Sequence, residues 1–342
     1  MIKYLGSKRE LIAHILKALP KDVRTVADVF SGTGRVSYAL REFGKVVHAN
    51  DYMLYAYHLS RCYTQADTSK ERQIQALLQA MRDSRPRAGY ITTHYCEKAR
   101  FFKPKNGERI DGMAEYIRAN LAPDDVMSSV AWTALLLAAD RVDSTVGLQM
   151  AYLKQWAARA DKDLELRVPA LCQASAPVGT SSCADAQDFA AQLSSVDLAY
   201  LDPPYNQHSY LGNYHIWETL CRGDEPATYG VAQKREDVCT RKSPYNSKKT
   251  CAAALKHLLD TLPATYALLS YSNEGFLSPS VLRELLVSRS EHVTVFEFEH
   301  GRYIGSQIGI YNPSGQKVGS AGATRNKEFM YLVQLKKEDA RS

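Results

Sequence analysis

The chain has 342 residues, 45% of them hydrophobic, with a formal net charge of +6. That length accommodates one large α/β domain with an appended or inserted smaller one, and the mild basic excess suits a polyanionic partner. The longest strongly apolar stretch, 130–139, is too short to span a bilayer, the first eight residues have no signal-peptide core, and the seven cysteines contain no Cys-x-x-Cys pair; a cytoplasmic protein with free thiols is expected.

In chain order, Thr25 to Phe30 reads as a strand meeting Ser31-Gly32-Thr33-Gly34, and Tyr38 to Phe43 has helical spacing. Val46 to Ala49 is a second strand ending at Asn50-Asp51, which completes a βαβ unit. The turn lacks the third glycine of a dinucleotide fingerprint and the Gly-Lys-Ser/Thr of a phosphate loop, so hydride transfer and nucleoside triphosphate hydrolysis lose ground. Gly32 and Gly34 instead let a small ligand approach the backbone. Asp51 is placed to accept hydrogen bonds from ribose hydroxyls.

From 70 to 180 the pattern is mainly helical, with apolar spacing over 74–81, 113–121 and 126–156, interrupted by loops such as 101–107. Residues 174–184, rich in Ser, Ala, Gly and Pro, read as a linker returning the chain to the sheet. Asp185, ending a short strand, could bind an adenine amino group or simply cap a helix.

Val196 to Leu201 reads as a buried strand whose carboxyl end is Asp202-Pro203-Pro204-Tyr205. Ligands bind at such strand ends in open α/β sheets. The prolines fix φ and remove amide donors, which leaves the carbonyls of Asp202 and Pro203 to an incoming amine. The Asp202 carboxylate would take one amino hydrogen and the Pro203 carbonyl the other, while Tyr205 stacks on the ring. Alone, the tetrapeptide reads first as a strand-ending turn; downstream of Gly32 and Gly34, with Asp51 and Asp185 at neighbouring strand ends, it reads as a site. Tyr210 and Tyr214 follow as site-closing or packing aromatics.

Beyond a helix over 212–221 lie Lys234, Arg235, Arg241, Lys242, Lys248, Lys249 and Lys256 against only Glu236 and Asp237, a candidate phosphate-binding loop. Arg302, with Tyr303 as an aromatic wall, and Arg100, Lys103, Lys105 and Arg109 are further candidates. A helix over 251–262, a strand over 268–271, a helix over 279–288 and a hairpin of 293–299 with 329–335 complete the chain. No cluster of His and Cys suggests a metal, and no Pro-Cys dipeptide suggests methylation at cytosine carbon-5.

Lys3-Tyr4-Leu5-Gly6-Ser7-Lys8-Arg9, Asp28 to Gly34 and Asp202 to Tyr205, in that order, resemble the amino-terminal, glycine and catalytic motifs of the adenine-N6-specific DNA methyltransferases of the Dam-like, α-ordered group. The resemblance runs over nearly the whole chain. It implies S-adenosyl-L-methionine as cofactor and the Rossmann-like methyltransferase fold, a seven-stranded sheet ending in an antiparallel hairpin, with 1–69 and 181–342 as catalytic domain and the helical 70–180 as target-recognition insertion. It assigns Tyr4, Lys8, Asp28, Phe30, Ser31, Gly32, Gly34, Asp51 and Asp185 to the cofactor, with Lys8 reaching its carboxylate. Double-stranded DNA, a cognate restriction endonuclease, a nucleoid-associated location and a monomer or dimer are the implied context. Cytosine-N4 methylation, RNA adenine methylation and an inactive binding homologue are the alternatives; the middle segment matches no recognition domain.

Overall fold

The computed structural model describes residues 1–290, 292–301, 310–311, 317–319 and 325–335. Its strands are β1 (Thr25–Asp28), β2 (Val46–Asn50), β3 (Thr180–Ser182), β4 (Val196–Leu201), β5 (Thr228–Tyr229), β6 (Lys234–Arg235), β7 (Ala264–Ser272), β8 (Val293–Gly301), β9 (Ile310–Tyr311), β10 (Lys317–Gly319) and β11 (Arg325–Gln334). Seven form one sheet in the order β3-β2-β1-β4-β7-β11-β8, while β5/β6 and β9/β10 are separate ribbons. β11 runs antiparallel to both β7 and β8, opposing Phe329 to Glu297 and Val333 to Val293. This is the expected methyltransferase sheet with its terminal hairpin, and the expected pairing of 293–299 with 329–335 is present.

Central parallel strands are buried on both faces, which accounts for the apolar residues at Val26-Ala27 of β1 and along most of β4. Asp197, near the start of β4, staples the strand starts together: its carboxylate accepts from the Arg24 and Thr25 amides at 2.7 and 2.8 Å. The strand order reverses between β1 and β4, so a crevice opens beyond their carboxyl ends.

Residues 70–180 are helical over Glu71–Asp83, Pro104–Asn120 and Val126–Val142. Their core side chains, among them Ile74, Ile110 and Leu135, are continuous with Tyr55 and Leu59 before them and Trp217 and Leu220 after them. Three expectations for this region are corrected. The helix expected over 126–156 ends at Val142, because Asp143 turns extended and accepts from Lys3 Nζ at 2.7 Å and from Arg159. The loop expected at 101–107 already contains a helix start, with Pro104 at its first turn, where a missing amide costs nothing. The 174–184 stretch, expected as a linker, contributes edge strand β3.

Gly34 is fixed by backbone and packing together. Its φ is +70°, and a Cβ there would lie 2.9 Å from Tyr63 Cδ2 and 3.0 Å from Ser60 Cα. Gly34→Ala should therefore lose about 1–3 kcal/mol and lower the melting temperature by several degrees. An unchanged melting temperature would show that the turn relaxes without cost.

Candidate active site

A cavity of about 340 Å³ fills the crevice at the carboxyl ends of β1 and β4. Among the cofactor and catalytic positions expected from sequence, Tyr4, Lys8, Asp28, Phe30, Ser31, Gly32, Asp51, Asp185, Asp202 and Pro204 line it. Pro203 and Tyr205 flank it, and Gly34 lies behind it against helix Leu54–Gln65.

β1 delivers Asp28 to the floor. Its Oδ2 accepts from the Ser37 hydroxyl at 2.5 Å, while Oδ1 is buried and has no partner. Burial pushes this carboxyl up to about 7, and the charges of Asp202 and Asp51 push in the same direction. An unpaired buried carboxylate oxygen in a cavity wall is a receptor for a cationic donor.

Asp51, at the end of β2, shapes the glycine turn. Its two oxygens accept from the Gly32 amide at 2.8 Å and the Met53 amide at 2.9 Å. Gly32 has φ +51°, and a Cβ would come within 3.2 Å of Tyr4. Burial raises the Asp51 carboxyl to about 6. Asp185 accepts from the Gln187 amide at 2.9 Å as N-cap of helix Ala186–Gln192, the capping role expected of it, and it also lines the cavity. Asn50, whose importance the sequence conceals, ties β1 to the segment after β3 by donating to Val29 O and Ala184 O.

One aromatic wall pairs Phe30 edge-on with Tyr245, centroids 5.2 Å apart. In the other, Tyr4 stacks on Tyr210 at 5.2 Å and Tyr214 at 4.6 Å. Tyr214 is buried packing, whereas Tyr210 reaches the cavity. Tyr205 leans on Tyr271 at 5.7 Å, and its carbonyl accepts from the Phe276 amide at 2.8 Å, which fixes the backbone beyond the two prolines.

Lys8 takes a position that sequence reasoning did not foresee. Its ammonium, 5% exposed, lies 3.0 Å from Asp202 Oδ1 and also pairs with Glu328 of β11. The two carboxylates outweigh the desolvation of the amine, so Lys8 titrates well above the ordinary lysine value. Burial raises Asp202 to about 6, the Lys8 charge opposing and Glu328 adding to the rise.

The basic loop divides in two. Arg235, expected on the phosphate-binding surface, is instead buried: its guanidinium donates to Asp224 at 2.7 and 2.8 Å and to Asp237 at 2.9 Å. Arg241 pairs with Glu218 at 3.1 Å, lies 5.2 Å over the Tyr52 ring and, with Lys242, lines the cavity. Lys248 and Lys249 are exposed and Lys234 half-buried. Of the further candidates, Lys103 and Lys105 pair with Asp161 and Asp163, Arg100 sits over Tyr152 and Trp156, and Arg109 donates to the Arg82 carbonyl. Arg302 and Tyr303 lie outside the described residues.

Glu328, Tyr245 and Asn50 are the site residues that sequence reasoning missed. Glu328 stands at the edge of an apolar strand where a solvent-facing carboxylate is the ordinary reading, and Tyr245 follows Ser243-Pro244 within a charged loop. Only the Pro-aromatic step hinted at a fixed ring.

A strand-end Asp-Pro-Pro-Tyr facing a glycine turn across one cavity is a geometry for bringing an amine to a small bound donor. Known proteins agree. The family model for D12 class N6 adenine-specific DNA methyltransferases matches residues 4–285, including both motifs. The chain is 30% identical to the type II methyltransferase M.NlaIII of Neisseria lactamica, over 98% of this chain and 99% of that protein. It is 27% identical to the modification methylase StsI of Streptococcus sanguinis and 27% to the type II methyltransferase M.FokI of Planomicrobium okeanokoites, covering 51% and 50% of those longer proteins. With the α order of motifs, the sheet and the strand-end carboxylates already in place, this match closes the choice left open between adenine and cytosine amines: the chain belongs to the D12 class of N6 adenine-specific DNA methyltransferases.

Proposed function

We propose that this enzyme draws its methyl group from S-adenosyl-L-methionine held in the cavity and presents an adenine, flipped out of double-stranded DNA, to Asp202. One observation carries the reading: the orphaned Asp28 Oδ1 and the Asp202 carboxylate face the same cavity, giving it one wall for a cationic cofactor and another for an amine. When bound, S-adenosyl-L-methionine supplies a methyl group already activated on a sulfonium. The residues present fit it. Asp28 would receive its ammonium, the glycine turn its chain, Asp51 its ribose, and Asp185 its adenine amine beside Phe30 and Tyr245. Lys8 is committed to Asp202 and Glu328. The carboxylate end therefore falls to other donors than the lysine the resemblance assigned.

Asp202 and the Pro203 carbonyl would accept the two amino hydrogens of the target base, freeing the nitrogen lone pair, and Tyr205 would stack on the ring. Positioning and electrostatics then supply most of the acceleration. A base inside a duplex cannot reach this cavity, so extrusion costs a few kcal/mol, recovered by stacking and hydrogen bonds. We assign target recognition to the 70–180 insertion, and place the enzyme in the cytoplasm beside nucleoid DNA with a cognate restriction endonuclease. No described helix is long and apolar enough to cross a membrane. The test is incubation with labelled S-adenosyl-L-methionine and mixed DNA and RNA, followed by digestion to nucleosides. Label in N6-methyldeoxyadenosine supports the reading; label confined to RNA overturns the choice of nucleic acid.

The two parts of the basic loop separate by experiment. Lys248→Ala with Lys249→Ala should weaken DNA binding and flatten the slope of log K against log salt by about 1–2. Arg235→Ala should leave that slope alone but lose about 2–4 kcal/mol of stability, because it strips two carboxylates of their buried partner. The reverse pattern would reassign the loop.

A further inference from the structure

Glu328 does not line the cavity, yet its carboxylate reaches the ion pair at the catalytic strand end. It comes from β11, the strand wedged antiparallel between β7 and β8, where it stands opposite Ser272 and Phe298. A buried lysine needs one counter-charge, and Asp202 already provides it at 3.0 Å. A second buried carboxylate costs desolvation, so its presence calls for a reason beyond pairing Lys8.

The reaction supplies one. As the amino nitrogen forms its bond to the methyl carbon, the carbon–sulfur bond breaks and its electron pair stays on sulfur. The nitrogen then holds one proton too many, and the nearest acceptor is the Asp202 carboxylate. A lone lysine beside Asp202 would hold it as a weakly basic anion, poorly suited to take that proton. Glu328 neutralises the lysine. The three groups together carry one net negative charge before proton transfer and none after it.

We propose that Glu328 is a positioning residue of methyl transfer, which with Lys8 forms a neutral pair that fixes the Asp202 carboxylate and leaves it basic enough to accept the proton released by the methylated amine. This rests on the assignment of Asp202 to the target amine given above. The groups facing Asp202 are Lys8 from the amino-terminal turn, Glu328 from β11, Asp28 from the end of β1, and the phenols of Tyr200, Tyr205 and Tyr210. All three phenols are pushed above their ordinary value by burial and stay neutral in the working range. Lys8 stays protonated throughout. Two groups are left to titrate in this range, Asp202 near 6 and Asp28 near 7, and the ammonium of saturating S-adenosyl-L-methionine against Asp28 holds the latter ionised, so the limb reports Asp202.

The test is the pH profile of single-turnover methyl transfer to unmethylated genomic DNA at saturating S-adenosyl-L-methionine. The wild-type rate should rise with pH through about 6. Glu328→Gln removes a negative neighbour from Asp202 and should move that limb about one pH unit lower while cutting the plateau rate roughly tenfold. Lys8→Met removes the positive neighbour and should move the limb higher; Lys8→Arg and Glu328→Asp should bring it back towards wild type. Calorimetric affinity for S-adenosyl-L-methionine within a few-fold of wild type verifies that each variant is folded. Limbs that stay put, or that move in the same direction in both charge-removing variants, overturn the proposal and leave Glu328 as a mere counter-ion. If Glu328→Gln does not fold, a Lys8→Met limb moved higher beside a Glu328→Asp limb near the wild type supports the proposal, and a Lys8→Met limb that stays put or moves lower overturns it. A wild-type profile with no limb near 6, together with an active Asp202→Ala enzyme, would overturn the assignment of Asp202 itself and this proposal with it.

Discussion

Asp202→Ala is expected to reduce methyl transfer by about three orders of magnitude or more while changing affinity for S-adenosyl-L-methionine no more than a few-fold. Two separate facts set this expectation. The carboxylate lines the cavity at the end of β4, and under the proposed assignment its loss would remove both the polarisation of the amine and the acceptor for its proton. The fold should survive, because Lys8 keeps Glu328 as its counter-charge and Asp202 bears no part of the sheet pairing. Single-turnover transfer and calorimetric binding measure the two quantities independently. An alanine variant that binds the cofactor tenfold or more weakly, yet transfers at near wild-type rate once saturated, would make Asp202 a cofactor ligand and not a catalytic residue.

The contrast between Asp202 and Lys8 shows what could be read before any coordinates. Asp202 is legible because its neighbours in sequence are its neighbours in space: an apolar strand before it, two prolines after it, an aromatic next. The same holds for Asp28, Gly32 and Asp51, which belong to one βαβ unit joined by the hydrogen bond from Gly32 to Asp51. Lys8 is different. Its partners are 194 and 320 residues away, from Lys8 to Asp202 and to Glu328, and come from strands that meet only when β11 inserts beside β7. Periodicity gives the hairpin but does not say which of its polar residues turns inward. Arg235 fails for the same reason. A run of cations reads as a solvated surface, and burial of one member against Asp224 and Asp237 is a tertiary event without a local signature.

Cofactor binding should also follow the charge of Asp28. Its carboxyl is raised to about 7 by burial, so between about pH 5.5 and 7.5 the empty site changes from mostly protonated to mostly ionised. A cation is attracted only to the ionised form. Affinity for S-adenosyl-L-methionine should therefore rise with pH across this window, which lies below the titration of the cofactor's own α-amino group. By linkage, binding at about pH 6.5 should release a fraction of a proton, visible in calorimetry as a dependence of the apparent enthalpy on buffer ionisation enthalpy. Asp28→Asn keeps a group able to accept from Ser37 but removes the titration. It should weaken binding roughly tenfold to a hundredfold at about pH 7.5, the range lost with one hydrogen bond to a charged partner, and flatten the pH dependence. Burial raises Asp51 to about 6, so a residual slope at the acidic end of the window should persist in the Asp28→Asn enzyme and shrink when Asp51 is replaced as well. Equal affinities for wild type and Asp28→Asn at the alkaline end of the window would leave the orphaned oxygen without a ligand and move the cofactor's cationic end elsewhere in the cavity.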